Sequence, residues 1–273
     1  MAVAHLRASP RLTARDLTLL AFCAEHRFVL APQVALAAGI SADAAKRRLA
    51  ALLQAGCLSR ERRYVAEPYA YAVTRTGIDA VGSALSPPRP LDPGTYAHDV
   101  GVGWLGAAAH AGRFGHLMEI VCERRMRSED GRREPGAELR GLRYPGGGGA
   151  WGPRGGARLH YPDLTIVTAA GRRVAFELEL HRKGAGRRER ILSAYACDPR
   201  LDAVVYLVRT EAERAALERS ARRVGVEDRL YVQLFAWAGD REPGMAPTRT
   251  RLPSTRTRLP SARTRGEPEG PGR

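Results

Sequence analysis

Three carboxylates fall close together in the stretch YPDLTIVTAAGRRVAFELELHRK: Asp163, Glu177 and Glu179, with Lys183 just beyond. The stretch reads as two short strands, Leu164 to Thr168 and Val174 to Leu180, joined by a turn at Ala-Ala-Gly. Carboxylates on neighbouring strands suit a hard divalent cation. Asp163 and Glu177 would hold Mg2+, the ion would activate a water and take up charge developing on a phosphate, and a lysine would orient the nucleophile. Side chains alternate along a strand, so Glu177 and Glu179 share a face. The chemistry implied is metal-dependent phosphodiester hydrolysis. Glu179, an acid and not a cation, stands two residues after Glu177, and Lys183 lies past the strand end. Arg187, Arg188 and Arg190 could approach from the following segment. The same acids also have a structural reading, paired with arginines such as Arg124 and Arg125. His98 and His160 read as packing or surface residues.

The elements around these acids are legible from periodicity. Thr95 opens a helix through YAHDVGVGWLGAAAHAG, with Val100, Trp104, Ala107 and Ala108 able to face inward. HLMEIVCERRMR reads as a strand running into charged residues, and the glycine loop YPGGGGAWGPRGG at 144–156 separates it from the two acid-bearing strands. GRRERILSAYA is a helix, DAVVYLV a buried strand, EAERAALERSARRVG a helix and LYVQLF a last strand. This α/β (α+β) order, αβββαβαβ, with Pro162 and Asp163 opening one strand and Glu177 on the next, resembles the restriction-endonuclease-like fold and its PD-(D/E)xK motif.

Upstream, Thr13 and Asp16 resemble a capping box before a helix that ends near His26. A short helix fits Pro32 to Ala38, and Ser41 caps a third that runs to Gly56. On the third helix Ala42, Ala45, Leu49, Leu52 and Leu53 share one face; Arg47 points opposite, beside Gln54, and Lys46 and Arg48 flank it. Small residues around cations and an amide suit entry into a major groove, although a solvated helix face carries such charges too. CLSRERRYV and AYAVTRTG then alternate as a two-stranded wing, placing Arg60, Arg62 and Arg63 beside the helix, and a short helix follows from Gly77. The order is that of a winged helix-turn-helix.

Composition frames these readings. The chain has 273 residues, 44% of them hydrophobic, and a formal net charge of +15, which favours a polyanionic partner, double-stranded DNA first. Only Lys46 and Lys183 are lysines, so part of the charge also reflects the arginine, alanine and glycine excess of a GC-rich genome. No apolar run is long enough for a membrane span and no secretory leader is evident, so the expected location is the cytoplasm. Cys23, Cys57, Cys122 and Cys197 stand singly, without zinc-ligand spacing. The expected units are 1–82, a winged helix-turn-helix DNA-binding domain; 83–94, a Pro-rich linker; 95–239, the nuclease-like domain; and 240–273, where TRTRLPS repeats in a basic tail expected to be disordered.

Together the TRTG turn, the HDVGVGWLGAAA helix, ERRMR, YPDLTIV, FELELHRKG and ILSAYA before a YLV strand resemble the replication-relaxation proteins of plasmids and integrated elements in Gram-positive bacteria, particularly actinobacteria. The resemblance spans about Thr13 to Phe235. It implies a role in replication or mobilisation of element DNA, with replication or mobilisation proteins as partners, and a nuclease-like domain that the resemblance does not require to be active. An active Mg2+-dependent endonuclease or nickase and a winged-helix transcriptional regulator, dimerising as a homodimer through the second segment, are the alternatives.

Overall fold

The computed structural model describes residues 12–62, 67–145 and 159–235. Arg63, most of the glycine loop and the tail 240–273 lie outside them. The chain is mixed α and β. Helix α1 (Ala14–Glu25) starts at a capping box, with the Thr13 and Asp16 side chains each bonded to the other's backbone N–H. Strand β1 (Val29–Leu30) leads directly into α2 (Ala31–Ala38), which Gly39 ends in the left-handed region. Ser41 caps α3 (Ala42–Gln54), and β2 (Leu58–Glu61), β3 (Ala70–Val73) and α4 (Arg75–Ala80) follow. The strands form a sheet of order β1-β3-β2, antiparallel throughout. Of the face assigned to α3, Ala45, Leu49 and Leu52 are buried as expected, whereas Ala42 is exposed because it opens the helix beyond the core.

The 83–94 segment is irregular, with Leu85 buried in the N-terminal core. Helix α5 (Tyr96–His110) and β4 (Leu117–Cys122) come next. The ERRMR segment, expected to be a strand end, is instead helix α6 (Glu123–Gly131). Its charges pair at helical spacing, Arg127 with Glu123 and Arg125 with Glu129, and Met126 is its buried side chain. A short antiparallel pair, β5 (Leu142–Arg143) with β6 (Leu159–His160), is also absent from the sequence reading. The acid-bearing strands are β7 (Leu164–Thr168) and β8 (Arg173–Glu179), followed by α7 (Ala185–Cys197), β9 (Ala203–Val208), α8 (Glu211–Val224) and β10 (Leu230–Leu234). The five-stranded sheet has the order β10-β9-β8-β7-β4; β8, β9 and β10 are parallel, β4, β7 and β8 antiparallel.

Strand alternation separates the two faces of that sheet. Ile166, Val174, Phe176 and Leu178 pack with Leu105, Ala108 and Ala109 of α5, whereas Ala175 and Val204 pack with Ile191, Leu192 and Tyr195 of α7 and Leu217 and Ala221 of α8. Helix α5 therefore lies between the sheet and the N-terminal unit, and it contributes Ala107 to the core of that unit. Its glycines make this double contact possible. A Cβ at Gly106 would fall 2.5 Å from Cε1 of His26, and one at Gly103 would fall 2.8 Å from the Gln33 amide. Gln33 is fully buried; its Oε1 accepts the Leu30 N–H, capping α2, and its Nε2 donates to the Val100 carbonyl of α5.

Arg124 completes the joint, donating to the Ala24, His26 and Ser86 carbonyls, while the Cys122 thiol donates to the Glu25 carbonyl. The guanidinium thus satisfies orphan carbonyls at the end of α1. We expect Gly106→Ala to cost about 1–3 kcal/mol by overpacking this joint. Gly186→Ala, at a helical glycine with nothing within 4 Å of its added Cβ, should instead stabilise by about 0.4–1 kcal/mol. Urea unfolding of both variants checks the pair, and equal effects would remove the packing argument.

Candidate functional site

The acids meet at one end of the five-stranded sheet. Leu164 pairs with Phe176 in the β7–β8 register, and the Asp163 N–H donates to the Phe176 carbonyl at 3.1 Å, so Asp163 comes in just before β7 against the end of β8. Asp163 Oδ2 accepts the Leu178 N–H at 2.7 Å and lies 3.3 Å from His98 Nε2, near the start of α5. Glu177 and Glu179 share the parity of Ala175 and so belong to the α7 face. Glu177 Oε1 is 2.7 Å from His160 Nε2 and accepts the Tyr195 hydroxyl of α7 at 2.5 Å. Glu179 Oε2 accepts from Lys183 Nζ. All three acids are buried.

Burying carboxylates is costly unless each finds a cation or donor, and the electrostatics follow from how each is compensated. Burial alone would lower His98, but its hydrogen bonds and proximity to Asp163 and Asp99 outweigh that and push it up to about 10. For Glu177, burial works to raise the pKa; the charges of His160 and Lys183 and the bonds from His160 and Tyr195 hold it below the usual carboxylate range. Glu179 goes the other way: burial, reinforced by Glu177, raises it despite the bond from Lys183. Burial and the neighbouring Glu177 push the Tyr195 hydroxyl far up, which keeps it a donor at any ordinary pH.

Asp163, Glu177, Glu179 and Lys183, singled out from the sequence, are thus brought together, but as three adjacent pairs. Lys183 is bound to Glu179. Arg124 and Arg125, the expected structural partners of Glu177 and Glu179, are engaged elsewhere, Arg124 on backbone carbonyls and Arg125 on Glu129; His160 and Lys183 take that part. Arg188 turns to Ser220 of α8. Among the described residues, no group of three or more His, Cys, Asp or Glu side chains is arranged to hold one metal ion. The donor types suit Mg2+, but this arrangement is not a preformed octahedral set. One carboxylate oxygen, Glu179 Oε1, is buried without a hydrogen-bond partner among the described residues. Sequence reasoning missed His98 and His160 as partners because they reach acids 65 and 17 residues away, a separation to which no periodicity is sensitive.

A second set of candidates lies in the N-terminal unit. Arg47 and Gln54 of α3 are exposed, and among the described residues Lys46 makes only a surface pair with Asp43, 3.6 Å away. Arg48, expected beside them as a DNA contact, is turned to Asp16 of α1: its Nε donates to Oδ1 at 2.9 Å and its Nη2 contacts Oδ2. That two-point ion pair fixes α3 on α1, because Asp16 is 3% exposed and needs a cation. Arg60 lies 4.3 Å above the ring of Tyr69, and Arg62 lies 5.4 Å from the same ring and donates to the Glu67 carbonyl. Tyr69, 39% exposed, therefore carries two cations at the β2–β3 turn; no sequence argument selected it.

The His98 charge has a sign that can be tested. Its folded pKa lies above the unfolded value of about 6.5, so its stabilisation is complete below that pH and is lost as pH rises through about 10. His98→Gln should cost about 1.5–3 kcal/mol at pH 6, with the difference from the parent chain closing above pH 10. A gap that stays constant across urea titrations at both pH values would assign the contact to packing instead. Compared with protein-family models and with curated proteins, the chain matches none.

Proposed function

We propose that this protein binds duplex DNA through α3 and the β2–β3 wing, and that its five-stranded unit is a nuclease-like module whose acids are compensated internally. On this reading it serves replication or mobilisation of plasmid or integrated-element DNA, as the resemblance to replication-relaxation proteins implies. The observation that carries it is the division of labour on α3. Arg48 is spent on Asp16 and seats the helix, while Lys46, Arg47 and Gln54 face solvent with small residues between them. A helix held by one face and cationic on the other can enter a major groove, and Arg60 and Arg62 over Tyr69 can follow the adjacent phosphates.

Lys46→Ala with Arg47→Ala should weaken binding to a short duplex about tenfold or more, and should lower the slope of log K against log salt by about two, one for each phosphate contact removed. Fluorescence anisotropy at several salt concentrations reads both numbers. Unchanged affinity and slope would mean that α3 is not the docking helix.

Glu179 Oε1, buried without a hydrogen-bond partner among the described residues and on the same strand face as Glu177, favours one second reading, a Mg2+-dependent nuclease. Asp163 and Glu177 would then hold the ion, with Lys183 released from Glu179. Supercoiled plasmid incubated with Mg2+ or Mn2+ should be nicked by the parent chain and at least about 100-fold more slowly by Asp163→Ala. Equal nicking by both, or none by either, removes this reading and leaves the module a binding or assembly element.

A further inference from the structure

A second arginine surface lies on the far side of the five-stranded sheet. Helices α7 and α8 cover the face opposite α5, and they touch where Arg188 Nε donates to Ser220 Oγ at 2.9 Å and Arg223 Nε donates to Glu189 Oε1 at 2.7 Å. Within one turn of those contacts are Arg187 and Arg190 on α7 and Arg219 and Arg222 on α8. All four are exposed, and among the described residues none makes an ion pair or side-chain hydrogen bond. Each pair has i,i+3 spacing, so its two side chains are neighbours on the helix surface. Of the acids nearby, Glu189 is taken by Arg223 and Glu218, beside Arg219 on α8, pairs with Arg214.

Four exposed guanidinium groups on two adjoining helices concentrate like charge on this layer, and nothing in their packing requires them: the buried side of α7 is Ile191, Leu192, Ala194 and Tyr195, and that of α8 is Ala216, Leu217, Ser220 and Ala221. Such a surface is favourable when a polyanion replaces its counterions. Arginine, with a planar fork of donors, matches phosphate oxygens in particular.

The position of this surface matters as much as its charge. The N-terminal unit packs on α5, α5 on one face of the sheet, and α7 with α8 on the other. The α3 face and the α7–α8 arginines therefore belong to outer layers on either side of the sheet and α5, with two packed layers between them.

We infer that the α7–α8 arginines form a second, separate phosphate-backbone site, so that one molecule holds two duplex segments together. The proposal rests on the DNA-binding reading of α3. It assigns the second unit a contact that is independent of the acid pocket.

The test uses the full chain and two short duplexes of unrelated sequence, one on beads and one fluorescent and free. The parent chain should carry the fluorescent duplex to the beads. Replacing Arg187, Arg190, Arg219 and Arg222 together by Gln should lower that capture about tenfold or more while changing the affinity for one duplex alone, measured by anisotropy, by less than about threefold. The same four positions changed to Lys should restore much of the capture, as attraction to phosphate requires. Single-duplex binding without capture by the parent chain, or undiminished capture by the Gln variant, overturns the proposal; the latter assigns bridging to self-association or to the basic tail. Failure of the parent chain to bind either duplex overturns the underlying reading as well. Capture that survives Lys46→Ala with Arg47→Ala but not the Gln variant keeps this site and removes α3.

Discussion

Helix α5 can belong to two cores at once only because two of its residues have no side chain where α2 and the end of α1 press against it. Gly103 admits the Gln33 amide and Gly106 the His26 ring at distances that no Cβ would tolerate. Close approach then makes further bonds possible: Gln33 caps α2 and reaches a carbonyl of α5 with the same side chain, and Arg124 collects carbonyls from α1 and the 83–94 segment. The N-terminal unit is thereby held against the helix that carries His98, so the α3 face and the acid pocket sit on one framework. The residues 83–94 have a linker's composition, but the packing around α5 makes them a short surface connection between joined parts.

The acid pocket shows what burial demands of charge. Asp163, Glu177 and Glu179 are drawn inside by the β7–β8 register, and each is matched by a different side chain: His98 from α5, His160 from β6 and Lys183 from the loop after β8. Tyr195 adds a donor from α7. Four separate elements therefore converge on three carboxylates, which makes the pocket a tie within the fold whatever chemistry it supports. The compensation is uneven: the Glu177 carboxyl is held below its ordinary pKa, whereas that of Glu179 is raised and one of its oxygens has no hydrogen-bond partner among the described residues. Any ion or ligand entering here would meet Glu179 first in energetic terms, since that oxygen loses no bond by accepting one.

Arginine plays two physical parts in this chain. Arg48, Arg124 and Arg229 are internal: they face a buried carboxylate or the carbonyls at helix ends and hold elements together. Arg47 on α3 and the α7–α8 group are exposed and make no ion pair among the described residues. Net charge does not distinguish these two populations, and a codon-biased composition would enrich both. Only the exposed, unpaired set bears on a polyanionic partner.

The succession of helices and strands was legible in the sequence from period and punctuation: the Thr13–Asp16 box, Ser41, Gly39, the alternation in LTIVT and RVAFELE, and the continuous apolar run AVVYLV each act within a few residues. So did the proximity of Asp163, Glu177 and Glu179, because one turn joins their strands. Helix α6 was not legible, since its stabilising charges lie at i,i+4 and only Met126 marks a buried side. Nor was the role of Arg48, which depends on Asp16 lying across the helix interface. The partners of the acids were beyond reach for the same reason: compensation of a buried charge is settled by distance in space, and His98 comes to Asp163 only when α5 has packed on the sheet through Leu105, Ala108 and Ala109. Sequence thus determined which residues form elements and which acids share a sheet end, through forces that act locally along the chain. Tertiary structure decided which charges are spent on folding and which remain for a ligand, because that choice is made by burial.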